Sequence, residues 1–357
     1  MAAFADSIWG IIAGRALQGA GAISSTVMAL VSDVTRDEVR SKAMAMIGAS
    51  IGLSFALAMV VGPKMAAQYD LQGVFWLTAV IACIGLVMVL TTVKTPKLSA
   101  PTDALPAWGM IKKVLLDHQL LRYNYGIFCL HMVLTAGFIV IPDILVSELE
   151  IPAPKHGFVY LAVLGGAFIA MLPLMILTEK RGLSKPAFVI AITLMVAASL
   201  VLSRGFTSVW PFMFAWFIFF VGFNWLEALL PSSLSKQVFA GGKGTAMGIY
   251  SSCQFFGVAL GGAIGGFVVS KFGTHGVFMF LAFTLISWLV LALTMKPPKK
   301  ARTLVLKKPE DAVASEWRAK LDNLTGVIEV AWFDAQSVAY VKVNAKEFDQ
   351  SQLSALS

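Results

Sequence analysis

Residues 277–295 read VFMFLAFTLISWLVLALTM and contain no charged side chain. The hydrocarbon core of a bilayer, about 30 Å thick, needs about 20 apolar residues in an α-helix, so this stretch is long enough to cross it. Residues 73–93, GVFWLTAVIACIGLVMVLTTV, show the same pattern in an earlier part of the chain. A spanning segment must satisfy its backbone polar groups internally, which favours helices. These two stretches predict a helical membrane protein.

The composition of the whole chain agrees with this prediction. Of its 357 residues, 58% are hydrophobic and 13% are charged, a balance outside the range of soluble globular proteins. Apolar runs recur between short charged or Gly/Pro-containing segments, so lipid is the expected solvent. We predict nine spans, at residues 7–31, 42–67, 73–93, 121–146, 156–178, 185–204, 208–235, 244–270 and 275–295.

The segments between these spans alternate in basic charge. One set carries thirteen Lys and Arg residues, and the alternate set carries four. Basic loops stay in the cytoplasm, so we expect the basic set and the C-terminus there and residue 1 outside. An odd number of spans with an outside start leads us to expect further helices before residue 1. The net charge of +8 is mostly this excess, which favours anionic lipid and not nucleic acid as a partner.

A weak internal repeat relates two parts of the chain. A shift of about 203 residues superposes residues 40–62 on residues 243–265, with Gly62 matching Gly265. Secondary transporters are often built from duplicated halves that place the substrate site between them. The repeat therefore favours a transporter.

Arg15 is a charged residue inside a predicted span. It lies about eight residues into the first span, where burial of its charge costs at least ~2.5 kcal/mol on insertion scales. Gln18 lies one turn away on the same helix face. We expect the two side chains to form a polar patch that faces the interior of the bundle, in a proton or substrate pathway.

Glu227 and His131 are further candidates for that pathway. Glu227 lies in the seventh span, with Asn224 one turn before it. A carboxylate there either exchanges protons as access alternates or serves as a structural partner in a polar helix contact. His131 lies near the middle of the fourth span, where a titrating role and a hydrogen-bonded packing role are both open.

Small residues and a proline predict how the helices pack and bend. Gly257, Gly261 and Gly265 recur every four residues, so they line one helix face and let a neighbouring backbone approach closely. The Gly62-Pro63 pair removes a backbone hydrogen bond and predicts a kink near the outer end of its helix. Such a kink is expected where a helix bends or seals during transport.

Basic and acidic residues at the cytoplasmic face are candidates for a gate. Asp33 closes the first span, where it is placed to pair with Arg36, Arg40 or a basic residue of a neighbouring loop. A gate contact and an ordinary surface ion pair both fit this pattern. The internal repeat matches Arg40 with Lys243, so we include both residues among the gating candidates.

The sequence contains no set of residues typical of an enzyme active site. It lacks a Walker glycine loop, zinc-ligand spacing and a nucleophile with a paired base, and its three cysteines lie singly in apolar runs. We therefore expect no catalytic residues, no metal site and no cofactor. An ion gradient is the remaining energy source, which directs attention to Arg15 and Glu227.

The composition changes abruptly after Lys300 to that of a globular domain. Residues 301–357 predict the order β-α-β-β-α, which fits a small α+β ferredoxin-like cytoplasmic domain. The predicted elements are a strand at 303–307, a helix at 311–324, strands at 327–333 and 337–343 and a helix at 347–356. The predicted domains are residues 1–98 (three spans), 99–120 (cytoplasmic linker), 121–298 (six-helix bundle) and 301–357.

Several motifs together resemble the major facilitator superfamily, specifically its drug and proton antiporters. They are Gly14-Arg-Ala-Leu-Gln-Gly19, the loop Asp33-Val-Thr-Arg-Asp-Glu-Val-Arg40, Gly62-Pro63, His131, the run Asn224 to Pro231 and the run Lys243 to Gly248. The resemblance implies that the nine spans match the fourth to twelfth helices of the family, with the first three absent. It also implies that Arg15 matches a buried arginine linked to proton coupling, Gly62-Pro63 the antiporter signature and Asp33 the acidic gate partner.

The sequence departs from the family pattern in two places. Gly62-Pro63 is followed by Lys-Met-Ala-Ala, without the terminal glycines of the signature, and the second acidic loop is reduced to Thr178-Glu-Lys-Arg-Gly182. We predict a proton-coupled efflux transporter in a bacterial inner membrane, with a small molecule and protons as partners and a regulatory ligand or protein for residues 301–357. The alternatives are a solute uptake symporter and a non-transporting sensor or scaffold that acts through that domain.

Overall fold

In the computed structural model, the described residues up to 296 are almost entirely helical, and a small sheet follows. The structure describes residues 1–20, 27, 37–92, 108–239, 242–296, 301–308, 313–333, 338–344 and 347–349. The helices before the sheet are α1 (Ile8–Ala20), α2 (Asp37–Thr92), α3 (Trp108–Leu116), α4 (His118–Ser147), α5 (His156–Tyr160), α6 (Gly166–Arg181), α7 (Ser184–Leu202), α8 (Val209–Gln237) and α9 (Lys243–Leu293). A π-helical turn, Leu161–Gly165, joins α5 to α6.

Six helical segments in the described part of the chain are long and apolar enough to cross a membrane. They are Leu57–Thr92, His118–Ser147, Ala153–Arg181, Ser184–Leu202, Val209–Gln237 and Gly244–Leu293. This confirms a polytopic helical membrane protein. Of the first predicted span, the structure describes α1 and Val27, and the other residues between 21 and 36 lie outside the described part.

The helices α2 and α9 each cover nearly all of two predicted spans. Helical dihedral angles in α2 are interrupted at Tyr69 (φ −133°, ψ 17°) and Asp70 (φ 54°, ψ −168°). Those in α9 are interrupted at Gly273 (φ 70°, ψ −174°). Both interruptions fall in the gaps that the sequence predicted between adjacent spans.

The bend predicted at Gly62-Pro63 is a separate feature from the interruption of α2 and stays a prediction. Pro63 lies inside α2, and the non-helical residues come later, at Tyr69 and Asp70. The proline ring fixes φ near the helical value and removes one backbone hydrogen bond. Membrane-spanning helices tolerate this because neighbouring groups satisfy the freed backbone carbonyl. A positive φ, as at Asp70, ends the helical path outright.

The interior of the bundle is built from α4, α7, α8 and α9. The largest fully buried side chains come from these helices and include Tyr123, Phe188, Phe212, Phe278 and Trp288. Aromatic side chains bury large apolar areas and pack against each other through tilted and edge-to-face contacts. Their rings determine the spacing between the helices that carry the candidate site.

Three glycines allow α9 to lie directly against α4. A Cβ atom added at Gly257 or Gly261 would collide with the carbonyl oxygen of Phe128 or Met132, and one at Gly265 would lie 2.9 Å from the Cα atom of Ala136. These positions leave room for the partner backbone and for nothing larger. The close approach predicted from their four-residue spacing is confirmed.

The described part of the C-terminal segment forms a three-stranded antiparallel sheet with one helix. The elements are β1 (Ala301–Lys307), α10 (Ala314–Asp322), β2 (Val327–Phe333) and β3 (Val338–Asn344). The strand order is β1-β3-β2, with β3 antiparallel to both neighbours. This order is compatible with the predicted ferredoxin-like arrangement, in which a third strand is inserted between the two strands of a βαβ unit.

The core of this domain lies between α10 and β3. Trp317 and Leu321 from the helix pack with Ala339, Val341 and Val343 from the strand. The helix is shorter than the predicted 311–324 because Val313 is extended (φ −71°, ψ 129°) and marks its start. Of the predicted helix at 347–356, the described residues 347–349 are not helical, and the others lie outside the described part.

Candidate functional site

His131 lies in the middle of α4, buried against α8 and α9. Its Nδ1 atom is 3.3 Å from the backbone carbonyl oxygen of Ile127, one turn earlier. Its Nε2 atom is 2.8 Å from the side-chain nitrogen of Gln254 on α9. Its ring also contacts that of Phe223 on α8, with 6.0 Å between centroids. The imidazole is therefore held on both nitrogens.

Glu227 on α8 faces the same point. Its Oε2 atom is 3.9 Å from His131 Nε2, and 40% of its side chain is exposed. That oxygen is nevertheless covered and has no hydrogen-bond partner within the described residues. Part of the Glu227 side chain thus reaches an accessible surface while one carboxylate oxygen points inward. We call His131, Glu227 and Gln254 the polar centre.

Other polar atoms in the same bundle are covered and unpaired. Both amide atoms of Asn124 lack hydrogen-bond partners within the described residues, as do the hydroxyl groups of Tyr123 and Tyr250 and the indole nitrogen of Trp225. Tyr250 lies one turn before Gln254, within electrostatic range of Glu227. Buried polar groups in native proteins are almost always paired with protein, water or ligand. A water molecule or a polar group of a ligand is the expected partner.

A row of aromatic rings leads away from the polar centre. Phe223 contacts Phe220 at 5.7 Å between ring centroids, and Phe220 contacts Trp216 at 5.6 Å. Trp216 in turn contacts Tyr160 of α5 at 5.6 Å. Two of these rings, Trp216 and Phe220, line a small apolar pocket together with Phe138, Phe219 and Phe278. All four rings of the row are buried in this conformation, so the row must open before a ligand can contact it.

Arg15 and Gln18 contact each other, as predicted, and the structure places both at an exposed surface. The Nη1 atom of Arg15 donates a 2.5 Å hydrogen bond to Oε1 of Gln18 on the same face of α1. No contact recorded for the described residues joins this pair to the polar centre. Asn224 is half-buried on α8, one turn before Glu227.

The predicted gating residues are only partly described. Asp33 lies outside the described part of the chain, and Arg40 and Lys243 lie on α2 and α9 with side chains outside it. Gly62 and Pro63 are half-buried, and no atom lies within 4 Å of a Cβ added at Gly62. The ion pair predicted between Asp33 and a basic residue stays a prediction.

Sequence reasoning missed Gln254, Asn124 and Tyr250. It started from charged or titratable residues inside spans and added only Gln18 and Asn224, which lie one turn from Arg15 and Glu227. The positions of the missed residues did carry a signal, since Tyr250 and Gln254 are separated by one helical turn and precede the glycine row that begins at Gly257. Polar side chains on the face that packs against a neighbouring helix are expected to be functional or paired.

The C-terminal domain contacts the end of α8 and the linker helix α3. Lys342 on β3 is buried, and its ammonium group donates hydrogen bonds to the carbonyl oxygens of Gln237 (3.2 Å) and Val238 (2.6 Å). The last carbonyl groups of a helix have no partner within the helix, so a cation satisfies both their hydrogen bonding and the helix dipole. Lys342 therefore caps the end of α8.

Lys113 adds a second connection between these elements. Its Nζ atom is 3.0 Å from Oε1 of Glu329 on β2 and 4.0 Å from the ring centroid of Phe239, just after α8. We call the set Lys342, Lys113, Glu329 and Phe239 the domain contact. It joins the C-terminal domain to both the linker and the helix that carries Glu227.

Comparison with known proteins gives consistent results along the whole chain. The sequence model of the Major Facilitator Superfamily matches residues 1–142 and 123–333. The chain is 42% identical to the inner membrane transport protein YajR of Escherichia coli K12, over 97% of this chain and 76% of that protein.

Two further relatives come from Buchnera aphidicola. An uncharacterized transporter of the subspecies Schizaphis graminum is 31% identical over 82% of this chain and 75% of its own length. A second uncharacterized transporter, of the subspecies Baizongia pistaciae, is 28% identical over 81% of this chain and 74% of its own length.

Proposed function

Because the chain belongs to the major facilitator superfamily and is a multi-pass membrane transporter, we propose that it couples proton movement to the export of small molecules. In this proposal, the polar centre exchanges the proton. The neighbouring aromatic row, which is packed in the conformation described, opens to receive an apolar part of the substrate. The membrane is a bacterial inner membrane, and the C-terminal domain faces the cytoplasm together with the basic loops.

One observation carries the proton-coupling proposal. A carboxylate oxygen of Glu227 is covered and unpaired 3.9 Å from an imidazole nitrogen of His131, on helices expected to cross the membrane. An ionised carboxylate without a partner is costly in a low-dielectric interior, whereas a protonated carboxyl group is neutral. Proton binding and release at this position would therefore change which conformation is favoured.

Alternating access is the mechanism that fits this arrangement. The repeat relates α2 to α9, so the two parts of the bundle that carry them are candidates for the moving halves. A proton that binds Glu227 from one side and leaves to the other would link the gradient to the substrate. Arg15 on α1 is the proposed charge partner in the first half, in a conformation in which it lies closer to the interior.

Proteoliposomes test this proposal directly. The full chain would be reconstituted into liposomes that enclose pyranine, a pH-sensitive dye. Proton movement would be recorded on addition of ethidium or of a panel of organic cations, anions and neutral compounds. Arg15→Ala and Glu227→Gln should each reduce substrate-dependent proton flux by at least about tenfold, equivalent to about 1.4 kcal/mol. Arg204→Ala and Glu150→Gln are matched controls, because both side chains are exposed at the surface.

The outcomes separate three functions. Unchanged flux in both variants of an active protein would reject the assigned coupling residues. Protons and substrate moving in opposite directions would support export, and movement in the same direction would support uptake symport. An absence of flux with every compound would reject proton-coupled transport of the tested classes.

The domain contact favours a second candidate function, sensing through residues 301–357. Lys342 joins this domain to the helix that carries Glu227. A ligand or protein that displaces Lys342 would therefore change the position of that helix and of the polar centre. Deletion of residues 301–357 should then change a cellular response while substrate flux stays absent. An unchanged response after the deletion would count against sensing.

A further inference from the structure

Gln254 forms a hydrogen bond with the imidazole nitrogen of His131 through which a proton would have to pass. It binds Nε2, the same imidazole nitrogen that faces Glu227. Its hydrogen bond is 2.8 Å long, against 3.9 Å for the separation between His131 and Glu227. In this conformation the contact with the amide is thus the closer one.

The other nitrogen of His131 determines the proton arrangement. The carbonyl oxygen of Ile127 can only accept a hydrogen bond, so the Nδ1 atom that faces it carries the hydrogen. In the neutral ring, Nε2 is then an acceptor, and the side-chain NH₂ of Gln254 is its donor. The network assigns one tautomer to His131 and one orientation to the amide.

This arrangement cannot accept a proton on His131 unless the amide moves. An imidazolium ion has an N–H group at both nitrogens, so its Nε2–H would face the NH₂ group of Gln254, donor against donor. Rotation of the carboxamide by half a turn replaces NH₂ by the accepting oxygen. Glu227 faces the same nitrogen from α8, and Tyr250 on α9 lies near Glu227.

We propose that Gln254 is a positioning residue whose amide orientation controls proton transfer between Glu227 and His131. In the orientation described, His131 stays neutral and a proton stays on Oε2 of Glu227. When the amide rotates, the proton leaves Oε2 and binds Nε2, which produces a carboxylate and an imidazolium that attract each other. The reverse transfer restores both neutral groups, so no other reactant is needed.

The packing around Gln254 connects this rotation to helix movement. Gly257 lies one turn further along α9, and its contact with the backbone of Phe128 sets the separation of α9 from α4. A change in that packing would alter the hydrogen bond between Gln254 and His131 first, because hydrogen bonds weaken steeply with distance and angle. The inference rests on the proposed function for its consequence in transport, but its local geometry is testable alone.

Nitrogen-15 NMR of the full chain in lipid nanodiscs tests the assignment. The chain has four histidines, and His131→Asn identifies the signals of the one concerned. The neutral ring of wild-type His131 should show the Nδ1–H tautomer. Gln254→Glu replaces the donor by an acceptor, so we expect the Nε2–H tautomer or the imidazolium in its place. Gln119, at the beginning of α4, accepts a hydrogen bond from the backbone N–H of Lys296, so Gln119→Glu adds the same charge far from His131 and should leave it unchanged.

Proton leak in proteoliposomes supplies the second measurement. Gln254→Met keeps the length of the side chain but removes the amide, so protons should cross without substrate on the order of tenfold faster, the effect of about one lost hydrogen bond. The proposal is overturned if wild-type His131 is the Nε2–H tautomer, or if Gln254→Glu and Gln254→Met behave like Gln119→Glu. Expected tautomers without any substrate-dependent proton flux would instead reject the proposed function and keep the local assignment.

Discussion

Asp70 and Gly273 adopt the same rare backbone conformation at equivalent points of the internal repeat. Their φ and ψ angles are 54° and −168° for Asp70 and 70° and −174° for Gly273. The two residues are 203 residues apart, the shift that superposes residues 40–62 on 243–265. The repeat thus extends through the interruption between two spans in each part of the chain.

The residues around these two points reinforce the relationship. Gly73 and Gly276 each lie against the Cβ atom of the aromatic residue four positions earlier, Tyr69 and Phe272 respectively. Both glycines are followed by Val-Phe in the sequence. Two turns with the same backbone path, the same crowding and the same following residues indicate a duplicated unit.

The positive φ at Gly273 predicts that an alanine substitution destabilises the protein there but not at a glycine with helical dihedral angles. Its combination of φ and ψ is nearly restricted to glycine, so Gly273→Ala should lower the free energy of unfolding by about 1–3 kcal/mol. No atom lies within 4 Å of the added Cβ, so the effect would come from the backbone alone. Thermal unfolding in detergent measures it, with Gly85→Ala in helical surroundings as a control that should not destabilise. Equal stability of the two variants would contradict the assigned turn.

Crowding at Gly261 predicts a loss of packing between α4 and α9. A Cβ atom there would lie 2.9 Å from the Cα atom of Met132 and closer still to its carbonyl oxygen. Gly261→Ala should therefore destabilise the bundle by about 1–3 kcal/mol, the usual cost of overpacking. Gly266→Ala on the same helix has open space around it and should be neutral. Comparable unfolding temperatures for the two variants would show that α9 is free to move away from α4.

Asn124 is predicted to matter more for transport than for stability. Its amide atoms are covered without partners within the described residues, a situation that costs about 1–3 kcal/mol. Asn124→Leu should leave the unfolding temperature unchanged or raise it, and should reduce substrate-dependent proton flux in liposomes. Ser199→Ala offers the contrast, because it removes a 2.8 Å hydrogen bond to the carbonyl oxygen of Met195 and should lower stability. A destabilised Asn124→Leu would mean that the amide already has a structural partner.

Lys342 is predicted to hold the C-terminal domain against the bundle. Lys342→Met keeps the length of the side chain but leaves the carbonyl oxygens of Gln237 and Val238 without their cation, at a cost of about 1.5–3 kcal/mol. Hydrogen exchange at the end of α8 should accelerate, while the core around Trp317 and Val341 should stay protected. The control is Lys320→Met, at an exposed position of α10. Equal exchange in both variants would refute the cap.

The ion pair between Lys113 and Glu329 is predicted to be weaker. More than half of the Lys113 side chain and about a third of the Glu329 side chain are exposed, at 56% and 31%. Exposed pairs contribute less than about 1 kcal/mol, so Lys113→Glu should release the domain only slightly. Adding Glu329→Lys should restore the attraction with reversed signs. A double-mutant cycle by hydrogen exchange measures this coupling, and a value of zero would show that Lys113 acts only through Phe239.

Much of the fold followed from the sequence because a membrane imposes simple constraints. Every spanning segment needs a long apolar run and internal hydrogen bonds, so the runs at 121–146, 185–204 and 208–235 predicted α4, α7 and α8 within a few residues. The interruptions near Asp70 and Gly273 were expected from polar and glycine residues between apolar runs. The conformation at Asp70 was not, since a positive φ at a non-glycine residue depends on the turn as a whole.

The candidate site was less accessible to sequence reasoning. Glu227 was identified as a charged residue in an apolar run, and His131 as a titratable residue near the middle of a span. Neither pattern showed that the two side chains lie 3.9 Å apart. Gln254 and Lys342 were missed, because the position of Gln254 before the glycine row does not reveal its partner and a lysine in a strand has no distinctive local pattern. Their roles come from partners 123 and about 104 residues away in the chain.

The sequence by itself determined the solvent, the helical class, the places where the chain leaves the apolar phase and the glycine row that lets two helices touch. These properties depend on the composition of short segments, because the hydrophobicity of each segment determines whether that segment enters the bilayer. The tertiary structure decided which polar atoms meet inside the bundle and where the C-terminal domain binds. Hydrogen bonds act over about 3 Å, so they are fixed by helix packing and not by spacing along the chain.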